Sequence, residues 1–221
     1  MEQKISVVAL PKPFRLAVTK LLGLELAEKI EKRLGVLSAR CRRSAKCKRP
    51  AKCQKSAACQ MSANRQLQWH LREYILPSLA VYQVLQAEGQ TQDAALEKVD
   101  KILDLVTVPY RQQMEWMGSF PLTYPLLRLS IQVAMRQYPA EGWQIEWVEN
   151  STQAIRFNMR SCFYFDTLSR YGAPELTASF CRNDDLVFDK MSPHLEWQRT
   201  QTIGRGAEYC NFCFARATNN G

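Results

Sequence analysis

Trp143-Gln144-Ile145-Glu146-Trp147 and, a few positions later, Ile155-Arg156-Phe157-Asn158-Met159 decide how this chain folds. In each run large apolar residues alternate with polar ones, the period of two that marks a half-buried strand. Asn150-Ser151-Thr152 between them has turn chemistry, so the pair predicts a hairpin. Downstream, Cys162 to Tyr171 reads as a helix closed by Gly172, and Pro174 opens another that ends near Cys181 to Asp185. Trp197 to Ile203 and Tyr209 to Phe214 read as two closing strands around a Gly204-Arg205-Gly206 turn. The order β-β-α-α-β-β predicts an antiparallel sheet covered on one face by helices, the α+β layout.

Upstream of the hairpin the apolar period changes to that of helices. Phe14, Leu16, Val18, Leu21, Leu22, Leu24, Leu26, Ile30 and Leu34 predict one amphipathic helix over 14–34, with Gly35 as its C-cap. After residue 67, Leu71, Tyr74 and Ile75 lead to Pro77, a kink or fresh start, and Leu79 to Leu85 continue to Gly89. Thr91 is a suitable N-cap for a helix carrying Val99, Ile102 and Leu103 up to Pro109. Tyr110 to Met117 reads as a further short helix, and Pro125 fits the first turn of another that runs to Pro139. The expected organisation is an N-terminal helix (1–37), a basic repeat (38–66), a helical region (67–140) and an α+β region holding the candidate active site (141–221).

The repeat has a period of six: Ser-Ala-Arg-Cys-Arg-Arg, Ser-Ala-Lys-Cys-Lys-Arg, Pro-Ala-Lys-Cys-Gln-Lys, Ser-Ala-Ala-Cys-Gln-Met and a decayed Ser-Ala-Asn-Arg-Gln-Leu. Between 38 and 67 stand nine Lys or Arg and no acid, so the remaining 21 basic residues match the 21 acidic ones and the net charge of +9 belongs to this segment. On a helix each unit turns the next cysteine by about 240°, leaving no shared stripe, and Pro50 breaks the helix. With no large apolar residue per unit, a solvated low-complexity insertion is the plainer reading. The functional readings are an arm for nucleic acid or another anionic surface, and a thiol-rich metal tract. The first lacks interleaved aromatics, and the second lacks the short cysteine spacing of zinc sites.

Eight cysteines divide evenly between this segment (Cys41, Cys47, Cys53, Cys59) and the C-terminal region (Cys162, Cys181, Cys210, Cys213). No apolar run approaches the roughly 18 residues of a membrane span, and the N-terminal Ile5 to Leu10 stretch is too short for a secretory signal. The expectation is a soluble, cytoplasmic protein with reduced thiols.

Reactive residue types concentrate between positions 160 and 214. Cys162 follows a strand and opens a helix, where the positive dipole end favours a thiolate nucleophile or metal ligand; the alternative is a small residue packed at the junction. Cys181 and Asp184 lie one helical turn apart, and Asp184 can serve as a general base or as a surface cap beside Asp185. Arg199 can clamp a carboxylate with both nitrogens or form an ordinary strand ion pair. Cys210-Asn211-Phe212-Cys213 has the C-x-x-C string, but on a strand residues three apart face opposite ways, so Cys210 is expected inward and Cys213 outward.

These residues also carry a resemblance. Arg160-Ser161-Cys162-Phe163-Tyr164, Gly172-Ala173-Pro174-Glu175-Leu176, Phe180-Cys181-Arg182-Asn183-Asp184, Arg199-Thr200-Gln201-Thr202, Gly206 and Cys210-Asn211-Phe212-Cys213-Phe214 follow, in order, the pattern of the L-2-amino-thiazoline-4-carboxylic acid hydrolase family. Leu79 to Leu85 with Gly89, Ala94 and Ala95 resembles that family's helical hairpin, and the similarity spans roughly 67–214. Asn211 stands where the family has Asp, and the hexapeptide tract is foreign to it. The resemblance implies a hydrolase acting on the carbon–nitrogen bond of a small cyclic amidine, a thiazoline ring opened by water. It assigns catalysis to Cys162, Asp184 and Thr202, with the Cys162 thiolate or a water held by Asp184 attacking the ring carbon. It assigns substrate binding to Arg199 and Arg160. A variant has zinc on Cys162, Cys181, Asp184 and Cys210. The same region also resembles the 4-vinyl reductase domain, which implies a binding or sensor module as the alternative.

Overall fold

The computed structural model describes residues 8–45, of which 42–45 by backbone alone, and 64–217. Most of the hexapeptide tract, with Cys47, Cys53 and Cys59, lies outside them. The chain forms two compact units: 1–106 with 166–179, and 107–165 with 180–221. The fold class is α+β, and its sheet lies wholly in the second unit.

The first unit holds α1 (Lys12–Leu22), α2 (Leu24–Ala45), α3 (Arg65–His70) and α4 (Leu76–Ala87), and the start of α5 (Gln92–Gly118). The helix expected over 14–34 is two helices. The break falls at Gly23, whose φ of 85° suits a residue without Cβ, while α2 runs on through Gly35. A glycine inside a helix costs about 1 kcal/mol, and Leu34 and Leu37 beside it are buried. A π-helical turn, Leu71–Ile75, joins α3 to α4. Pro77 lacks an N–H and its ring crowds the carbonyl four residues back, so the register widens there and the Leu76 N–H reaches Leu71.

Helix α4 is buried around nearly its whole circumference, which suits its apolar composition and makes it the centre of this unit. Arg33 Nε donates to Gln83 Oε1 at 2.8 Å and Lys29 Nζ to Glu88 Oε1 at 2.9 Å, fixing α2 along it. The Tyr82 hydroxyl donates to Glu175, and Cys41 Sγ lies 3.0 Å from the Tyr171 hydroxyl. Thr91 caps α5 as expected, its Oγ1 accepting from the Ala94 N–H at 3.3 Å. Helix α5 continues through Pro109 where a stop was predicted.

The second unit contains α6 (Thr123–Ala134), β1 (Ile145–Asn150), β2 (Ala154–Met159), β3 (Leu195–Gln198) and β4 (Cys210–Arg216). Helices α7 (Phe163–Arg170) and α8 (Thr177–Phe188) each lie partly in both units. The sheet is antiparallel in the order β1-β2-β4-β3. Ser151 makes the hairpin turn, its Oγ accepting from the N–H of Gln153 and Ala154 at 3.0 and 3.1 Å. Ile155, Phe157 and Met159 face Phe214, Phe212 and Cys210 across the ladder, and the Phe157 and Phe212 rings stack at 4.9 Å. Phe188 at the end of α8 packs edge-on against Phe214 and tilted against Trp197. A bulge between Trp147 and Glu149 turns Val148 outward.

Candidate functional site

The apolar spacing of α8 buries Cys181 and Val187, and this rotation carries Asp184 and Asp185 to the side where β3 ends. The strand predicted over 197–203 stops at Gln198 because its continuation is held by other bonds. Asn211 Oδ1 accepts from the N–H of Thr200 at 3.1 Å and of Gln201 at 2.9 Å, and its Nδ2 donates to Thr200 Oγ1 at 2.8 Å. The Asn211 amide is thus a brace for the 199–202 segment. The turn that follows closes at Gly206 (φ 89°), where the Ala207 N–H returns to the Thr202 carbonyl at 3.1 Å.

Arg199 projects from this segment and is the best-sealed charge of the site, its side chain only 1% exposed. Nη1 donates to Asp184 Oδ2 at 3.1 Å, and Nη2 donates to Asp185 Oδ1 at 2.6 Å and to the Cys181 carbonyl. The Trp197 and Phe212 rings flank the guanidinium at 5.5 and 5.2 Å. The clamp expected to face a substrate carboxylate therefore holds two carboxylates of its own chain. Within the guanidinium, Nε has no hydrogen-bond partner among the described residues.

Asp184 is different: its side chain is 44% exposed. Loss of hydration in this recessed position pushes its carboxyl above the ordinary range, against the opposing pull of Arg199. Asp185 also accepts from Trp197 Nε1 at 3.3 Å and from Arg205 Nη2 at 3.4 Å. Arg205, 52% exposed, is thus a cation beside the acid pair with most of its donors uncommitted to it. Sequence reasoning missed Asp185 and Arg205 as site residues, although the doubled acid and the Gly204-Arg205-Gly206 turn were visible signals.

Three thiols gather here, Cys181 and Cys210 buried and Cys162 half-buried. Cys162 feels the charges of Cys181 and Cys210, and Cys181 feels those of Asp184 and Arg199. The thiolate expected at Cys162 is reversed: burial pushes its thiol up to about 12, outweighing the N–H groups of Phe165 and Tyr164 at the helix start. Burial likewise raises Cys181, and takes Cys210 to about 11 although its Sγ accepts the Ile203 N–H at 3.2 Å. Cys210 is buried and Cys213 half-buried, matching the alternation of β4. Thr202 is fully buried beside Cys181, and its hydroxyl has no hydrogen-bond partner of ordinary geometry.

Two predicted roles find no counterpart in this arrangement. Among the described residues no three His, Cys, Asp or Glu side chains are disposed to hold a metal ion, so the zinc set of Cys162, Cys181, Asp184 and Cys210 is not formed. Arg160 donates to Glu146 Oε2 at 2.7 Å and lies over the Tyr209 ring at 4.4 Å, which spends it on the edge of the sheet.

A family model described as L-2-amino-thiazoline-4-carboxylic acid hydrolase matches residues 68–214. No curated protein matches the chain. Similar solved structures include the Fe(II) unliganded H-NOX protein from K. algicida, 11% identical over 95% of both chains with a TM-score of 0.36, and a single-residue mutant of it with a TM-score of 0.34. Superposition that loose carries no argument about this chain.

Proposed function

This chain belongs to the L-2-amino-thiazoline-4-carboxylic acid hydrolase family, and on that premise we propose that it opens a small cyclic amidine of the thiazoline type with a water activated by Asp184. The observation that carries the reading is an accessible carboxylate backed by a sealed cation. Arg199 fixes the Asp184 oxygen in place, and the remaining face of the carboxylate is free to take a proton. Loss of hydration raises its pKa against the opposing pull of Arg199, which makes it a stronger base than an ordinary aspartate.

In the proposed step, Asp184 takes a proton from water as the water oxygen bonds to the ring carbon between sulfur and nitrogen. The carbon–nitrogen double bond opens, and the ring nitrogen takes the proton that Asp184 removed from water. The adduct collapses by breaking the carbon–sulfur bond with the electron pair going to sulfur, and the proton of the adduct hydroxyl passes by way of Asp184 to the thiolate, leaving a carbamoyl group, a free thiol and the Asp184 carboxylate. Arg205 takes the substrate carboxylate, the task expected of Arg199, because it is the cation at this cluster that stays open to solvent. We give Cys162 no nucleophilic role, because burial pushes its thiol up to about 12.

The test is incubation of the protein with 2-amino-thiazoline-4-carboxylic acid and mass-spectrometric detection of a carbamoyl-cysteine product. Product formation that Asp184→Asn abolishes is the expected result. Binding of the acid with no turnover would overturn the reading in favour of a binding module.

A further inference from the structure

Leu34, Ser38 and Cys41 follow one another along a single stripe of α2, and this stripe lines a cavity of about 320 Å³. That volume falls in the size class of small-molecule sites. Leu71 and Leu76, bonded to each other across the π-helical turn, line the same space, as do Val8 and Pro11 ahead of α1. All of these residues belong to the first unit. Leu34, Cys41, Leu71 and Leu76 are buried, which gives the cavity an apolar lining. The Cys41 thiol is already engaged by the Tyr171 hydroxyl at 3.0 Å.

The π-helical turn also supplies charge. Such turns are rare and recur at functional sites. Arg72 and Glu73 both line the cavity, Arg72 exposed and Glu73 half-buried. Among the described residues neither has a hydrogen-bond or ion-pair partner. A cation and an anion, both uncommitted, thus border an apolar space. The complementary ligand carries a carboxylate, an ammonium and an apolar body. A simple carboxylate would satisfy Arg72 and be repelled by Glu73, and a simple amine would meet the reverse.

We propose that this cavity binds the zwitterion of a free α-amino acid with a large apolar side chain, its carboxylate on Arg72 and its ammonium on Glu73. The site is independent of the hydrolase reading, whose residues lie in the second unit.

The full-length protein is titrated calorimetrically with L-phenylalanine, with hydrocinnamate, which lacks the ammonium, and with phenethylamine, which lacks the carboxylate. L-Phenylalanine is expected to bind, and each analogue to bind about 5-fold more weakly or worse, the worth of one partly exposed charge contact. Arg72→Gln is expected to weaken L-phenylalanine by a similar factor without weakening phenethylamine. Glu73→Gln is expected to weaken L-phenylalanine without weakening hydrocinnamate. Ser38→Leu puts a good helix former into the cavity and should abolish binding, with circular dichroism checking that it folds. Asp184→Asn should leave binding unchanged. Four results overturn the proposal: no binding of L-phenylalanine, an analogue that binds as tightly, binding that survives the changes at Arg72, Glu73 and Ser38, or binding that Asp184→Asn removes.

Discussion

Arg199 and Asp184 form an asymmetric pair: a cation 1% exposed donates at 3.1 Å to a carboxylate 44% exposed. The cation cannot be reached, and the acid can. Sealing the guanidinium between Trp197 and Phe212 removes competing water from one side of the pair. The carboxylate is thereby oriented without being consumed.

Asp184→Asn removes the proposed base and keeps the shape. Turnover of the thiazoline acid is expected to fall by about 10²–10⁴-fold with the fold intact. In the unsubstituted protein the base is lost as pH falls through the raised pKa of Asp184. The acid limb of the rate profile is therefore expected above the ordinary aspartate range. A limb at the ordinary aspartate value would separate Asp184 from catalysis.

Cys162→Ala is expected to retain turnover, because burial holds this thiol protonated up to about 12. Alkylation by iodoacetamide at neutral pH, followed residue by residue by mass spectrometry, should find it slow. Rapid labelling of Cys162 with loss of activity would restore the thiolate mechanism.

Arg199→Met leaves Asp184 and Asp185 without their shared partner. Breaking a buried ion pair from one side costs several kcal/mol, and the partial exposure of both acids reduces this to about 2 kcal/mol. Adding Asp184→Asn and Asp185→Asn is expected to recover part of that loss, read from urea midpoints. No difference between the single and triple variants would deny the coupling.

Gly118→Ala should be among the most damaging small changes in the second unit. A Cβ at Gly118 would lie 1.7 Å from the Met191 carbonyl oxygen, and the Ser192 hydroxyl donates to the Gly118 carbonyl at 2.6 Å. Backbone there has to move, at a cost of about 1–3 kcal/mol or more. Thermal unfolding checks it, and an unchanged midpoint would refute this contact.

Asn211→Asp is expected to be tolerated, since an Asp accepts the same two N–H groups and Thr200 Oγ1 can turn its proton toward it. Asn211→Leu leaves both N–H groups without that acceptor, at a cost of about 1–3 kcal/mol. A larger loss in Asp than in Leu, by chemical denaturation, would contradict the brace.

The hairpin, the two helices after it and the inward set of β4 were legible because they follow from period. Ile155, Phe157 and Met159, and Cys210, Phe212 and Phe214, each repeat at two, and burial of one sheet face leaves a single register open to them. The helix break at Gly23, the passage of α5 through Pro109 and the early end of β3 were not legible. Gly35 and Pro109 carry local penalties of only a few kcal/mol, and packing of the flanking apolar residues decides whether such a penalty stops a helix.

The site divides along the same line. Composition and spacing brought Cys162, Cys181, Asp184, Thr202, Arg199 and Cys210 onto one list, and strand alternation set Cys210 inward and Cys213 outward. Which of them is usable was a tertiary matter. Whether a thiol ionises or a guanidinium stays free depends on the water and the charges left around it after folding, and these come from residues far apart in the chain. Burial reversed Cys162, Asp184 and Asp185 occupied Arg199, and Arg205 stayed open beside them.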